Sequence, residues 1–375
     1  MRPQKICIIG PAYPLRGGLA SFNERLAYAY QENGHTVKLY TFSLQYPSIF
    51  FPGKTQISED PAPKNLDIEV CINSVNPFNW LSIGRRINKE NFDLIIVRFW
   101  IPFMGPSLGT ILRRIKRNGK TKIVGLIDNI IPHEKRIGDT ILAQYFVNAV
   151  DGFVVMSRAV EQEMQGFVKQ QKVSYVPHPI YDIYGDAIPQ AKAKERLQLE
   201  KASLHILFFG FIRAYKGLDI LIEAMSHQVV KDLNLKLVVA GEYYDQQEKY
   251  ESQITALGLS DSIILHTHFI SNEEVVNYFS AADLVVQPYR TATQSGISQI
   301  AYHFEKPMVV TNVGGLPEIV DHQKNGYVVP VQAGAIANAI GDFFNQNKSA
   351  EFTQAVKEKK KEFSWSNFMN AIDNL

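Results

Sequence analysis

Short apolar runs rich in β-branched residues recur along the whole chain, and almost every one is followed by a segment long enough for a helix. Lys5–Ile9, Thr36–Phe42, Asp67–Ile72, Asp93–Arg98, Lys122–Ile127, Gly152–Met156 and Val173–Val176 read as one series of strands. Ile206–Phe209, Lys236–Ala240, Ser262–His266, Leu284–Gln287, Pro307–Thr311 and Tyr327–Val329 read as a second. Strands that are near-continuously apolar are buried on both faces, and strands separated by helices pair in parallel. The pattern predicts an α/β chain with two doubly wound parallel sheets. Pro177-His178-Pro179 interrupts it, and the stretch up to His205 turns polar, which places a boundary there. With 375 residues the chain is long enough for two domains of ordinary size.

Composition narrows the class. Hydrophobic residues make up 46% and charged residues 20%, the balance of a globular chain rather than a disordered one. A formal net charge of +2 gives no global drive toward nucleic acid. Two cysteines, Cys7 and Cys71, argue against a disulfide framework and for a reducing, cytoplasmic setting, with Cys7 a buried structural thiol in its strand. The run Ile6–Ile9 is too short for the apolar region of a signal peptide. No apolar stretch reaches the ~18 residues of a spanning helix, so any work on membrane lipids would be done from the surface.

The run Gln287–Glu318 carries the first chemistry. Gln294-Ser295-Gly296 stands directly before a helix-like segment, Ile297–Phe304. A small polar loop at a helix start offers free backbone N–H groups and the positive end of the helix dipole, a ready site for phosphate. Earlier, a strand ends at Phe209 and the chain runs Gly210-Phe211-Ile212-Arg213-Ala214-Tyr215-Lys216-Gly217. Ligands of open α/β sheets bind outside the carboxyl ends of the strands. Arg213 and Lys216 there, with the phosphate-cradling loop, describe a diphosphate site; as a rival reading they form a surface helix-capping pair. Gly17-Gly18 stands before the first helix, where glycine lets a ligand approach the backbone. The first βαβ unit has no Gly-x-Gly-x-x-Gly, which disfavours a dehydrogenase.

These residues carry a resemblance. Gly210…Arg213-x-x-Lys216-Gly217, then Ala240-Gly241-Glu242, then Pro307-Met308-Val309-Val310 with Gly314-Gly315-x-Pro317-Glu318 and Asn325-Gly326 resemble the C-terminal half of a family 4 glycosyltransferase of the GT-B fold. Gly17-Gly18 and Gly34-His35-x-Val37 resemble its N-terminal domain, and the likeness covers nearly the whole chain. Family members commonly carry two glutamates with seven residues between them in this loop and helix; the matching positions here are Ala292 and Ile300. The segment Ala292–Gly296 is instead similar to a subgroup with a Gln-Ser-Gly loop.

The resemblance implies two Rossmann-like domains with the site in a cleft between them. The first is residues 1–180, joined by a C-terminal helix, 362–375, that crosses back to it. The second, residues 181–361, takes the nucleotide-sugar donor. It implies a retaining transfer from a UDP- or GDP-linked sugar to a sugar, lipid-linked or small-molecule hydroxyl, with no cofactor beyond that co-substrate. Arg213 and Lys216 would neutralise the departing diphosphate in place of a metal, since Asp-x-Asp is absent. Gly17, Gly18, Glu242, Phe269, Ile270, Gln294, Ser295, Gly296, Ile297 and Glu318 would contact the donor. Phe269 and Ile270 would lie by the base; Glu318 either holds a hydroxyl or merely favours its helix dipole. Asp128 and His133, at the end of Lys122–Ile127, would serve the acceptor or the donor sugar.

The aromatic loop around Phe50-Phe51 and the cations Arg113, Arg114, Lys116 and Arg117 suggest surface polysaccharide or glycolipid synthesis at the inner face of a membrane. An inactive nucleotide-sugar-binding partner subunit, motivated by Ala292 and Ile300, is the alternative, with an epimerase or phosphorylase of the same fold beside it.

Overall fold

The computed structural model describes residues 2–47, 56–58, 61–132, 136–292 and 295–375. The chain forms two compact units, Met1–Pro177 with Trp365–Leu375, and His178–Ser364.

Unit 1 holds β1 (Lys5–Ile9), β2 (Thr36–Leu44), β3 (Asp67–Asn73), β4 (Leu94–Phe99), β5 (Lys122–Ile127), β6 (Gly152–Val155) and β7 (Lys172–Tyr175). Their order in the sheet is β3-β2-β1-β4-β5-β6-β7. Unit 2 holds β8 (Leu204–Phe209), β9 (Leu235–Ala240), β10 (Ile263–His266), β11 (Leu284–Gln287), β12 (Met308–Thr311) and β13 (Gly326–Val329), in the order β10-β9-β8-β11-β12-β13. Neighbouring strands pair in parallel in both sheets. The central strands are buried from end to end, β4 and β11 completely, which is why their sequences show no alternation. The two halves are therefore doubly wound, Rossmann-like domains, as the strand pattern and the resemblance implied.

Local chemistry moves some boundaries. β4 begins at Leu94 rather than Asp93, because the Asp93 carboxylate accepts the Lys5 backbone N–H at 2.8 Å and so caps the strand pair. The polar stretch before His205, whose charged segment Lys192–Leu199 reads as a helix, forms one over Gln190–Arg196; it starts after Pro189, and Gln198, with φ +56°, closes it. His266 and His268 read in the sequence as alternating on one strand, but His266 ends β10 and His268 stands beyond it. The helix expected near Lys216 is delayed: Ala214–Lys216 is a 3₁₀ turn, and Leu218–Met225 starts after Gly217. The Phe50-Phe51 loop lies outside the described residues.

The last helix, Trp365–Asp373, packs on unit 1. Phe22 of the helix Gly18–Glu32 meets Trp365 and Phe368 with ring centroids 5.1 and 5.4 Å apart. Tyr30 donates to the Asp373 carboxylate at 3.0 Å. Phe368 is fully buried. Phe368→Ala should cost about 3–5 kcal/mol, the usual loss for a buried aromatic ring. Urea denaturation followed by circular dichroism checks this; a loss under about 1 kcal/mol would mean that the helix only leans on unit 1.

Candidate active site

In unit 2 the strand order reverses between β8 and β11. The connections leaving these two strands run to opposite faces of the sheet, and the gap between them is where open α/β sheets bind ligands. The bounding loops are 210–217 after β8 and 288–295 after β11.

Three glycines set how closely these loops approach. A Cβ on Gly217 (φ +67°) would lie 2.0 Å from the Pro288 carbonyl oxygen. One on Gly241 (φ +139°), after β9, would lie 2.4 Å from the Gly210 carbonyl oxygen. One on Gly210 (φ +97°) would lie 2.9 Å from the Lys216 Nζ and 3.4 Å from Ile297 Cδ1. Each position combines a left-handed backbone with no room for a side chain. The same geometry brings Lys216, Gly210 and Ile297 together, from both sides of the switch point.

Arg290 pins the arrangement. Its guanidinium donates to both oxygens of Asp219, at 2.8 and 2.7 Å, and to the Ala214 carbonyl at 3.0 Å. Its backbone N–H donates to the Tyr215 carbonyl at 2.7 Å. Burial alone would raise the Asp219 carboxyl, but the Arg290 partnership outweighs it and holds the group below its ordinary value. On the β11 side, Gln287 donates to Ser298 at 2.9 Å, fixing the start of the helix Gly296–His303, and Thr311 donates to the Tyr289 carbonyl at 2.6 Å.

Lys216 is buried at 8% exposure, its ammonium 5.6 Å from the Tyr289 ring centre. Arg213 is half-buried, its guanidinium 5.0 Å from the Tyr244 ring centre. Among the described residues neither forms an ion pair, and the nearby Asp219 is taken by Arg290. Burial, and then the Arg213 charge, pushes Lys216 from 10.5 down to about 8. A buried base with a lowered pKa destabilises the folded state by about 3 kcal/mol below pH ~8, a cost that vanishes above its unfolded pKa. An anion beside Lys216 would relieve it. Lys216 thus lies near Ile297, in the first turn of the helix Gly296–His303, with the Arg213 charge close enough to act on it.

The other expected residues are placed as follows. Ser295 is the buried N-cap of the helix, and Gly296 packs against Tyr181, where a Cβ would lie 3.0 Å from the ring. Glu242 follows Gly241, and its Oε2 is buried with no hydrogen-bond partner among the described residues. Phe269 is exposed and Ile270 buried, in the connection after the edge strand β10, which is separated from β8 by β9. Glu318 is half-buried in the single-turn helix Leu316–Ile319 after β12. Ile300 is buried in the core side of its helix, so a carboxylate at that position is replaced by packing. Its neighbour Gln299 is 1% exposed, with Oε1 unpartnered among the described residues. Gln294 lies outside the described residues.

In unit 1, Gly17 (φ +110°) is the N-cap of Gly18–Glu32, and both glycines are exposed. A Cβ on Gly17 would meet nothing within 4 Å, so its conformation rather than crowding demands glycine. Asp128 is bound by Arg98, whose Nε donates at 2.7 Å; that guanidinium is buried under the Phe22 ring, 4.1 Å from its centre. Arg98 thus fixes the orientation of the Asp128 carboxylate. His133 lies outside the described residues. Among the described residues no group of three or more His, Cys, Asp or Glu is arranged to hold a metal ion.

The sequence reading missed Arg290, Asp219, Tyr289 and Tyr181. Arg290 and Asp219 are 71 positions apart, and no local pattern links them.

Comparisons with known proteins agree with the fold. Residues 203–346 match the profile described as glycosyl transferases group 1, and residues 16–182 match glycosyltransferase family 4. An uncharacterized glycosyltransferase of Methanocaldococcus jannaschii is 23% identical over 99% of this chain and 97% of its own length. A D-inositol 3-phosphate glycosyltransferase of Streptomyces scabiei is 25% identical over 73% of this chain and 65% of its own. Among solved structures, sucrose-phosphate synthase from Thermosynechococcus elongatus superposes with a TM-score of 0.75 at 16% identity, covering 99% of this chain and 98% of that one. Anabaena HepE in complex with UDP-glucose superposes at 0.71 and 18% identity, with coverage of 99% and 98%.

Gly217→Ala should leave a folded protein but push the Pro288 loop away, weakening inorganic pyrophosphate binding roughly tenfold or more. Titration calorimetry on the variant checks it. Unchanged affinity would show that the two loops do not form the site together.

Proposed function

Because the chain is a GT-B glycosyltransferase, with a family 4 match in its first part and a group 1 match in its second, we propose that it transfers a sugar from a UDP- or GDP-linked donor to a hydroxyl acceptor with retention of anomeric configuration. The observation that carries the reading is the buried, carboxylate-free Lys216 beside Arg213 at the switch point of unit 2. Arg213 and Lys216 take the charge of the departing diphosphate, Arg213 bidentately and Lys216 as a point charge, so that a divalent metal is not required. The N–H groups at Ser295-Gly296-Ile297 add the helix-terminus field. Glu242, Gln294 and Glu318 serve the hydroxyls of ribose and sugar, and Phe269-Ile270 the base. Gly17 and Gly18 serve the donor; Asp128 and His133 serve the acceptor hydroxyl or the sugar.

In the proposed reaction the acceptor oxygen bonds to the anomeric carbon on the face that the diphosphate leaves. The bond from that carbon to the diphosphate oxygen breaks, and the same oxygen takes the acceptor's proton. No enzymic carboxylate nucleophile is needed, which suits Ala292 and the buried Ile300. The free cysteines Cys7 and Cys71 favour a cytoplasmic setting, and surface polysaccharide or glycolipid synthesis is the proposed context.

A thermal-shift screen of UDP, GDP, ADP, CMP and NAD, with magnesium and with chelator, tests the donor side. One nucleoside diphosphate at ~100 Kd should stabilise by about 2.7 kcal/mol, equally without metal. Lys216→Ala should weaken that ligand by roughly tenfold to a hundredfold, the worth of a charge-assisted contact. Response to NAD alone, or strict dependence on magnesium, would overturn the proposal. Hydrolysis of the matching sugar nucleotide then separates a working enzyme from an inactive binder.

Affinity should also depend on pH with a definite sign. Bound diphosphate raises the Lys216 pKa above its free value of about 8, so binding is full below that pH and weakens as pH rises through it. The ligand's own last phosphate ionisation, near 6, is complete by then. Calorimetry near pH 8.5 in buffers of different ionisation heat should show proton uptake, and Lys216→Ala should abolish it. No uptake in the unmodified protein would place the phosphates away from Lys216.

A further inference from the structure

Three helices of unit 1 follow β3, β4 and β5 in turn: 77–89, 105–115 and 139–147. Successive right-handed crossovers moving one way across the sheet put them on one face. The first packs on the second and the second on the third. Gly84 makes the first contact close, since a Cβ there would lie 2.6 Å from Arg114 Cβ. Each helix leaves the carboxyl edge of the parallel sheet, so their N-termini share that edge.

At that edge large apolar side chains stand in water. Phe78 is 84% exposed, Ile137 108%, Ile141 74% and Leu81 40%. Along helix 77–89, Phe78, Leu81, Arg85 and Lys89 follow helical spacing down one exposed stripe, apolar first and cationic after. Arg114 and Arg117 adjoin it, close enough that Arg85 and Arg117 both act on the Arg114 charge.

The cations of this layer separate into two groups. Arg86 pairs with Glu69, Lys116 with Asp151, and Arg113 donates to the Gly109 and Tyr145 carbonyls. Among the described residues Arg85, Lys89, Arg114 and Arg117 have no ion pair or side-chain hydrogen bond. Nor is there a neutralising carboxylate in the same stretches: 70–89 and 94–127 contain no Asp or Glu, in a chain whose totals are nearly balanced at 39 basic and 37 acidic residues. An ordinary solvated helix face carries both signs.

We infer that this helical layer is a docking surface for an anionic lipid bilayer. Phe78, Leu81, Ile137 and Ile141 enter the headgroup–acyl boundary, and Arg85, Lys89, Arg114 and Arg117 meet lipid phosphates. A polynucleotide would use the charges and leave four large apolar side chains in water. Separated apolar tips above a cationic field match a bilayer surface, where a few inserted side chains and several cations act together. Among the described residues no helix is long and apolar enough to cross a membrane, so the contact is peripheral. The surface belongs to unit 1 alone and does not rest on the donor reading, which a failure here would leave intact.

The test is flotation of the full chain with vesicles of phosphatidylcholine alone and of a 7:3 mixture with phosphatidylglycerol. Binding is expected to the mixture only, and to be lost when salt is raised well above about 0.1 M. Arg85→Ala with Arg117→Ala should weaken it roughly 20-fold, and Phe78→Ser with Leu81→Ser roughly tenfold. The nucleotide-induced thermal shift should stay unchanged in both variants, showing that they fold. No binding to anionic vesicles, or binding that neither pair of substitutions alters, overturns the inference. So does a dimer in gel filtration that Phe78→Ser with Leu81→Ser disrupts without lipid, which would make this face a contact between copies of the chain.

Discussion

A buried ammonium under the influence of a neighbouring guanidinium, with no ion pair among the described residues, is the constraint on which the candidate site of unit 2 depends. Burial and repulsion both oppose it, and together they bring Lys216 to about 8. A fold spends stability in this way only where the surroundings over-determine the geometry. Here the surroundings are identifiable. Gly217 lets the Pro288 carbonyl close in, Gly241 lets the Gly210 carbonyl close in, and Arg290 ties both loops to Asp219. The Asp219 carboxylate is thereby withdrawn from the cations. In the proposed reaction this positive charge is in place before negative charge develops on the leaving group, so little reorganisation is needed.

The sheet explains why these loops meet at all. β8 and β11 are neighbours although two strands and their helices separate them in the chain. Their connections leave toward opposite faces, and only at that point in a doubly wound sheet do two strand-end loops frame a gap. Unit 1 repeats the order around β1 and β4, and there the loop after β1 carries Gly17 and Gly18. Arg98, from the last turn of β4, spends its charge on Asp128 under the Phe22 ring. The two switch points thus handle their arginines differently: Arg98 is neutralised inside the fold, and Arg213 has no ion pair among the described residues.

Much of the fold was legible in the sequence because parallel strands buried on both faces leave a signal that survives context. β5 and β11 start and end where their apolar runs do. Errors arose where a single side chain outvoted the pattern, as Asp93 did by capping β4 and Gln198 by ending its helix in a left-handed conformation. The cations Arg213 and Lys216 could be picked out because strand ends are where ligands bind, and the Gln-Ser-Gly segment because a helix follows it. The burial of Lys216 and the engagement of Asp128 could not, since both depend on residues far away in the chain. The run of Arg113, Arg114, Lys116 and Arg117 looked uniform; packing sorted it into two cations with partners and two without an ion pair among the described residues.

The amino-acid sequence by itself determined the fold class, the break near Pro177 and the positions of the cations, since these follow from periodicity, from proline's missing donor and from residue type. Tertiary structure alone decided which charges are neutralised and which stay available. That depends on distances between loops 71 positions apart, as for Arg290 and Asp219, and on three glycines whose left-handed backbones let the chain pass within van der Waals reach of itself. Electrostatic energy varies with separation and burial, and neither is a property of local sequence.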